Sequence, residues 1–287
     1  MDDNKLYNAL LKNQKERGVS GEARAEDNFR KERPFAGVEA PRRAQGAIQG
    51  ADSERPPTVY DAAVSLELIG NPNPWSRDQL REKKIIYPGM PDKEVMDAYR
   101  ELRIQLRSRH GEGNFAVMFS SLGPARNSVA TAYNLAAAFA LDSHTSALLV
   151  DCDPYNHDLQ NLVSTPLRAG ATDFVADRSL AIKDILYPSG VARLSVIPAG
   201  TQASSAVELF AAVRMRELIS ELKSRYPDRC IVINAPAFRD NTEARILERF
   251  ADQVVFGVPF GEVTGEDIAD AVGLLETDKF AGLVFQE

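Results

Sequence analysis

From residue 115 onward, short apolar segments alternate with segments whose apolar residues recur at helical spacing. The predicted strands are Phe115–Ser121, Ala147–Asp151, Leu194–Pro198, Ile231–Ala235, Val254–Val258 and Gly282–Phe285. The helical patterns lie near Asn127–Leu141, Ser205–Arg225, Asn241–Arg249 and Thr264–Glu276. Apolar strands separated by helices are typical of a parallel sheet covered on both faces. We therefore predict an α/β fold, a doubly wound and mostly parallel sheet that binds ligands at the carboxyl ends of its strands.

Composition excludes several classes of protein. The chain has 287 residues, of which 44% are hydrophobic, enough for one α/β domain and an extension. Its formal net charge is −7, and the acidic excess lies after residue 57. We expect no nucleic-acid partner, because such binding depends on Lys and Arg to neutralise phosphates. Cys152 and Cys230 lie in apolar segments, as expected for buried, reduced thiols.

No apolar run approaches the roughly 20 residues of a membrane-spanning helix. The first residues also lack the basic start and apolar stretch of a signal peptide. We therefore expect a cytoplasmic protein whose contact with any membrane goes through a partner or a surface helix.

The first 57 residues differ in character from the rest. An apolar stripe at helical spacing, formed by Leu6, Tyr7, Leu10 and Leu11, fits either a frayed helix end or a helix that docks on a partner. The segment that follows is charged, rich in Gly and Pro and poor in aliphatic residues, which favours disorder. The predicted division is a short amphipathic helix at 1–17, a disordered linker at 18–57, a pre-domain segment at 58–110 and the α/β domain at 111–287.

The stretch from Val117 to Phe139 reads as a strand, a Gly/Pro turn and a helix, the frame of a phosphate-binding loop. The loop positions are Pro124, Ala125, Arg126, Asn127, Ser128 and Val129. A working loop needs Gly, Lys and Ser or Thr at the last three of these positions, and all three are changed. Losing the Lys removes charge-assisted hydrogen bonds of roughly 1.5–3 kcal/mol each. Arg126 stays open as a substitute cation, although its planar fork replaces a compact ammonium poorly.

Two later strand ends complete the comparison with a phosphate-transfer site. Asp151 and Asp153 follow the second strand, where a D-x-D pair commonly handles Mg²⁺ or a reacting hydroxyl. The alternative is that Asp153 and Pro154 only form a turn. Asn234 ends a later strand, where a carboxylate that positions Mg²⁺ is expected, and an amide carries no charge there. Losses at both ends favour a dead or crippled catalyst.

These segments resemble the bacterial tyrosine autokinases of exopolysaccharide synthesis, of the exosortase-associated type, which are related to the MinD/ParA ATPases with a P-loop NTPase-like fold. The resemblance covers about residues 70–285. It is carried by Ser121, Pro124 and the N-L-A of the following helix, by "LLVDCDP", and by the long stretch from "LSVIPAG" to "NAPAF". It implies that Asp151 and Asp153 stand at catalytic positions and Asn234 at the Walker B position. ATP or ADP with Mg²⁺ is the implied ligand, and weak binding is expected with this loop.

The same resemblance implies partners. "DAYRELR" is similar to the family's E-x-x-R-x-x-R interface helix, with Asp97, Arg100 and Arg103 at the three positions and one face of a helix. Family members work with a membrane polysaccharide co-polymerase, a chain-length regulator. They also carry a tyrosine-rich acceptor tail, whereas no tyrosine follows Tyr226 here. A homo-oligomer, or a hetero-oligomer with an active kinase, is therefore expected.

Three functions fit the sequence. The first is a non-catalytic, kinase-like regulator of polysaccharide polymerisation, chain length or export. The second is an atypical ATPase or tyrosine autokinase that uses Arg126, Ser128 and Asp151, with a cation from a neighbouring subunit. The third is a positioning ATPase of the MinD/ParA type. No metal site is expected, because His110, His144 and His157 are scattered without suitable neighbours.

Overall fold

The computed structural model describes residues 71–111, 113–124, 128–225, 229–276 and 278–286. The strands in these ranges are β1 Ala116–Ser121, β2 Ser146–Asp151, β3 Tyr187–Pro188, β4 Leu194–Ile197, β5 Arg229–Ala235, β6 Gln253–Pro259 and β7 Phe280–Gln286. They form one sheet in the order β3-β4-β2-β5-β1-β6-β7. All described pairings are parallel except that of β3 with β4. The predicted doubly wound α/β fold class is confirmed, while the predictions for residues 1–17 and 18–57 lie outside the described residues.

Helices lie before the sheet and between its strands. They are α1 Arg77–Glu82, α2 Lys93–His110, α3 Ser128–Ala140, α4 Leu159–Leu162, α5 Ala171–Ala176, α6 Ile182–Ile185, α7 Ala206–Ala211, α8 Val213–Arg225, α9 Thr242–Leu247 and α10 Gly265–Gly273. The predicted single helix at Ser205–Arg225 is wrong, because Ala212 is extended and divides it. Phe210 and Met215 would lie about 140° apart on a straight helix. The break lets both side chains enter the same core cluster.

Two hydrophobic clusters cover the two faces of the sheet. Successive side chains of a strand point to opposite faces. Accordingly, Met118 belongs to one cluster and its neighbours Val117 and Phe119 to the other. Helices α7, α8 and α9 pack on the Met118 side, whereas α3 packs on the Phe119 side and is buried along nearly its whole length. Because both faces are covered, polar groups of the central strands reach a ligand only at the strand ends.

The segment before β1 packs on the same face as α3. Met96 and Leu106 of α2 are buried in the Phe119 cluster, and so is Ile86 in the link between α1 and α2. The Asn134 side chain of α3 joins this link to the domain. Its Oδ1 accepts from Ile86 N at 3.0 Å, and its Nδ2 donates to Lys84 O at 2.9 Å. The residues ahead of the sheet therefore share the core of the α/β domain.

None of the helices in the described ranges combines the length and the apolar character that a membrane crossing requires.

Candidate functional site

The carboxyl ends of β1, β5 and β2 lie side by side at one edge of the sheet. This follows from the strand order, in which β5 lies between β1 and β2. Asp151, the last residue of β2, is the register partner of Asn234 in β5. Ser128 begins α3, which follows the loop after β1. The topology thus brings together three residues that are far apart in the sequence.

These three side chains form one hydrogen-bonded group, which we call the Ser128–Asn234–Asp151 network. Ser128 Oγ donates to Asn234 Oδ1 at 2.9 Å. Asn234 Nδ2 donates to Asp151 Oδ1 at 2.8 Å, and Asp153 N donates to the same oxygen at 3.1 Å. Ser128, Asn234 and Asp151 are at most 2% exposed. The groups at the Lys position and at the Walker B position therefore bind each other.

The charges in this network are mutually consistent. Complete burial raises the pKa of the Asp151 carboxyl to about 7, against the lowering effect of hydrogen bonds from Asn234 and Asp153. A carboxylate at position 234 would face that of Asp151, and two unpaired like charges in contact disfavour ionisation strongly. An amide at 234 and a hydroxyl at 128 avoid this repulsion without a lysine. The two substitutions therefore compensate for each other electrostatically.

The described side chains do not fit a magnesium-bound nucleotide. Val129, at the position of the metal-binding hydroxyl, is buried and has no oxygen to offer. The Ser128 hydroxyl is engaged with Asn234. Within the described ranges, no three His, Cys, Asp or Glu side chains are grouped to hold a metal ion. Pro124 is exposed at the start of the loop, and positions 125–127 lie outside the described residues.

Asp153 lies in a turn beside a tyrosine–glutamate pair. Its Oδ1 accepts from Tyr155 N at 3.1 Å, so the turn interpretation of Asp153 and Pro154 holds locally. Tyr155 Oη donates to Glu243 Oε1, a contact that raises the pKa of the tyrosine to about 12. Burial raises the pKa of Asp153, and the nearby Glu243 carboxylate raises it further. Glu243 belongs to no recognisable motif, so nothing in the sequence marks it as part of the site.

A cavity of about 370 Å³ opens beside Asp151, between the loop after β2 and the turn after β4. We call it the Arg168 cavity. Its polar lining consists of Asp151, Asn156, His157, Gln160, Arg168 and Thr201. Only Asp151 belongs to a motif visible in the sequence. The rest come from segments of irregular pattern that the fold brings together.

The three predicted interface residues of α2 have different surroundings. Asp97 and Arg100 are exposed and form a 3.0 Å ion pair. Arg103 Nη1 instead donates at 3.0 Å to the carbonyl of Ala138, near the carboxyl end of α3. Arg103 thus stabilises the packing of α2 on its own domain, while Asp97 and Arg100 face solvent.

Comparison with known proteins finds relatives among tyrosine kinases. Tyrosine-protein kinase wzc of Salmonella typhimurium is 27% identical over 172 residues, which are 60% of this chain and 23% of that protein. The protein of the same name from Salmonella typhi is 26% identical over 170 residues. The chain spans about a quarter of the length of these curated relatives. No model of a known protein family matches the chain.

Solved structures show the same fold. The kinase domain of Escherichia coli tyrosine kinase ETK aligns with a TM-score of 0.61 and 20% identity, over 75% of this chain and 88% of that one. The BceF tyrosine kinase domain aligns with a TM-score of 0.59 and 23% identity, over 74% and 90%. The predicted resemblance to bacterial tyrosine kinases is therefore confirmed: the chain is similar in sequence to tyrosine-protein kinase wzc and has the fold of bacterial tyrosine kinase domains.

Proposed function

We propose that this chain is a non-catalytic, kinase-like regulator of exopolysaccharide polymerisation, chain length or export. It acts at the inner membrane through a membrane polysaccharide co-polymerase or an active kinase of the same pathway. One observation supports the proposal that the chain is not catalytic. The Ser128–Asn234–Asp151 network ties up, within the protein, the groups that stand where a kinase needs a lysine and a metal-positioning carboxylate. The pathway and the partner rest on the resemblance to the tyrosine autokinases.

The network argues against phosphoryl transfer on energetic grounds. Catalysis of this reaction depends on positive charge placed around the transferred phosphoryl group. The described part of the site offers instead a hydroxyl, an amide and a carboxyl that holds its proton up to about pH 7. Freeing Ser128 or Asn234 for a ligand would break a buried hydrogen bond, at a cost of roughly 1–3 kcal/mol. A regulator that uses the fold to bind a partner requires none of these changes.

An atypical autokinase is the second candidate, and one observation favours it. Asp151 Oδ2 accepts no hydrogen bond from any described residue, so a carboxyl oxygen remains available at the catalytic position. Tyr155, in the turn after β2, is 58% exposed, and its hydroxyl would accept phosphate only after leaving its contact with Glu243. Tyr133 is buried and offers no accessible hydroxyl. This candidate needs a cation from Arg126 or from a neighbouring subunit.

Phosphate release and phosphotyrosine formation distinguish the two. The purified chain is incubated with Mg-ATP, and released phosphate is quantified beside phosphopeptide mass spectrometry. We expect rates equal to those of an Asp151→Ala variant and no phosphotyrosine on Tyr155. Turnover that the Asp151→Ala change abolishes would overturn the non-catalytic proposal. Co-purification from cells with an inner-membrane protein supports the regulatory role.

A further inference from the structure

We infer that the Arg168 cavity binds a small phosphate ester that carries free hydroxyl groups. The cavity lies beside β2 and β4, and neither Pro124 nor Ser128 lines it. Its volume of about 370 Å³ falls in the range of small-molecule sites. The inference does not depend on the proposed regulatory function, since it concerns a second site at the same edge of the sheet.

The arginine at the rim of this cavity favours an anionic ligand. Neither the Arg168 guanidinium nor the His157 ring forms a hydrogen bond or ion pair with a described residue, and both side chains are exposed. Arginine presents a planar fork of donors that matches two oxygens of one phosphate. His157 also lies near enough to Asp153 to lower the pKa of that carboxyl. A phosphate at the rim would therefore meet the Arg168 guanidinium and the His157 ring.

The backbone that carries Arg168 is held in place by side chains. The Gln160 amide donates to Thr165 O at 3.3 Å and accepts from Leu167 N at 2.8 Å. On the other side of Arg168, Ala169 N donates to Tyr187 Oη at 3.1 Å. Arg168 N also donates to Tyr187 Oη, at 3.3 Å, whereas no described residue pairs with the Arg168 guanidinium. A fixed backbone reduces the ordering cost of binding, so the arrangement is organised for a ligand.

The inner end of the cavity suits hydroxyl groups. Asp151 is 2% exposed, and its Oδ2 has no partner among the described residues, so it can bond a ligand hydroxyl, as an acceptor when the carboxyl is ionised and as a donor when it is protonated. Asn156 Oδ1 is occupied by Asp158 N, which leaves the Asn156 amide hydrogens to donate. Leu159 and Leu167 supply apolar surface between the polar groups. An apolar wall and a carboxyl group inside, with the Arg168 guanidinium outside, match a hydroxylated ring with a phosphate at one end.

Two sources share this chemistry, a hexose phosphate and a ribonucleotide. Isothermal titration calorimetry without metal, using glucose 1-phosphate and ADP as probes, distinguishes them. We expect at least one probe to bind and its affinity to fall at least tenfold in Arg168→Gln. The exposed Arg178 lies outside the cavity, and Arg178→Gln is the matched control, with unchanged affinity expected.

A second variant tests the inner end. At pH 8, where Asp151 is ionised, Asp151→Asn keeps the oxygen that Asn234 and Asp153 bind and replaces the free carboxylate oxygen by an amide group that only donates. We expect this variant to bind the hydroxylated probe less tightly, with a smaller effect on the affinity for inorganic phosphate. Thermal melting checks that all variants fold. Failure of both probes to bind, or binding that Arg168→Gln leaves unchanged, would overturn the inference. Catalytic inactivity would not affect it, so its failure is separable from that of the proposed function.

Discussion

At position 234, one atom changes the electrostatics of the whole site. The amide of Asn234 donates to Asp151 and accepts from Ser128, so both of its functional atoms are satisfied inside the protein. A carboxylate there would have no hydrogen to donate to Asp151. It would also place a second charge beside a group that is already fully buried. Asn234 is therefore the residue that makes a lysine-free loop compatible with a folded domain.

The buried carboxyl of Asp151 predicts a specific dependence of stability on pH. Its pKa is raised from 3.8 to about 7 in the folded protein, mainly by burial. Between these values the folded state holds a proton that the unfolded chain has released. The free energy of unfolding therefore falls as pH rises through this window and levels off above it. The expected loss between pH 5 and pH 8 is on the order of 3 kcal/mol.

Urea denaturation of the natural chain and of Asp151→Asn at pH 5 and pH 8 measures this contribution. Other titrating groups are common to both proteins, so the difference between them isolates Asp151. We expect the variant to gain about 3 kcal/mol relative to the natural chain on going to pH 8. Asp97→Asn, at an exposed position, is the control and should show no such gain. A pH-independent difference would contradict the assignment.

Among the elements, α3 holds the site and the preceding segment together. Its first residue belongs to the Ser128–Asn234–Asp151 network, and Asn134, two turns later, binds the link between α1 and α2 through Lys84 and Ile86. The link cannot leave the domain without exposing the buried Asn134 side chain. One helix therefore couples the nucleotide-loop frame to the segment that carries the predicted interface.

Asn134→Ala should destabilise the domain by about 1–3 kcal/mol, because it leaves the buried Ile86 N–H without its partner. Chemical denaturation followed by circular dichroism measures the loss. Gln105→Ala removes an exposed side-chain contact with Glu101 on α2 and should cost less than about 0.5 kcal/mol. Equal effects of the two substitutions would show that Asn134 does not hold the link.

The elements that were predictable from sequence share one property, a periodic apolar pattern. Six of the strands contain an apolar run that can be recognised in the sequence. One example is β1, which is buried at every position. The two-residue β3 has no period to read and contains a proline, which only an edge strand tolerates. No sequence pattern marks the extended conformation of Ala212 either. It arises because Phe210 and Met215 both pack in the same core cluster. The apolar pattern thus predicts where helices and strands lie, whereas the packing of the core determines where a helix is broken.

For the molecule as a whole, self-association tests the role of the α2 surface. We propose that Asp97 and Arg100 contact a neighbouring subunit, whereas Arg103 serves its own domain through Ala138 O. Arg100→Glu should lower the oligomer mass measured by light scattering and leave the melting temperature nearly unchanged. Arg103→Ala should instead lower the melting temperature, with a loss of about 1–2 kcal/mol. A fall in melting temperature for Arg100→Glu but not for Arg103→Ala would contradict these assignments.

Only the part of the candidate site that lies at the predicted strand ends could be predicted from the sequence. Asp151, Asp153, Asn234 and Ser128 follow from motif spacing. Arg168 and Thr201 do not, because only the packing of the loops after β2 and β4 brings them to one cavity. The hydrogen bond between Ser128 and Asn234 was likewise hidden, since spacing reports which residues are changed and not how they meet.

The mutual dependence of Ser128 and Asn234 also constrains how such a chain can change over generations. Replacing Asn234 by Asp first sets two buried carboxyls against each other. Replacing Ser128 by Lys first forces a long side chain into a position that is 1% exposed and removes the donor to Asn234. We expect each single step to lower stability, so that a route to the charged site would pass through a less stable intermediate. The hydrogen bond between Ser128 and Asn234 thus favours changing both positions together over changing either one alone.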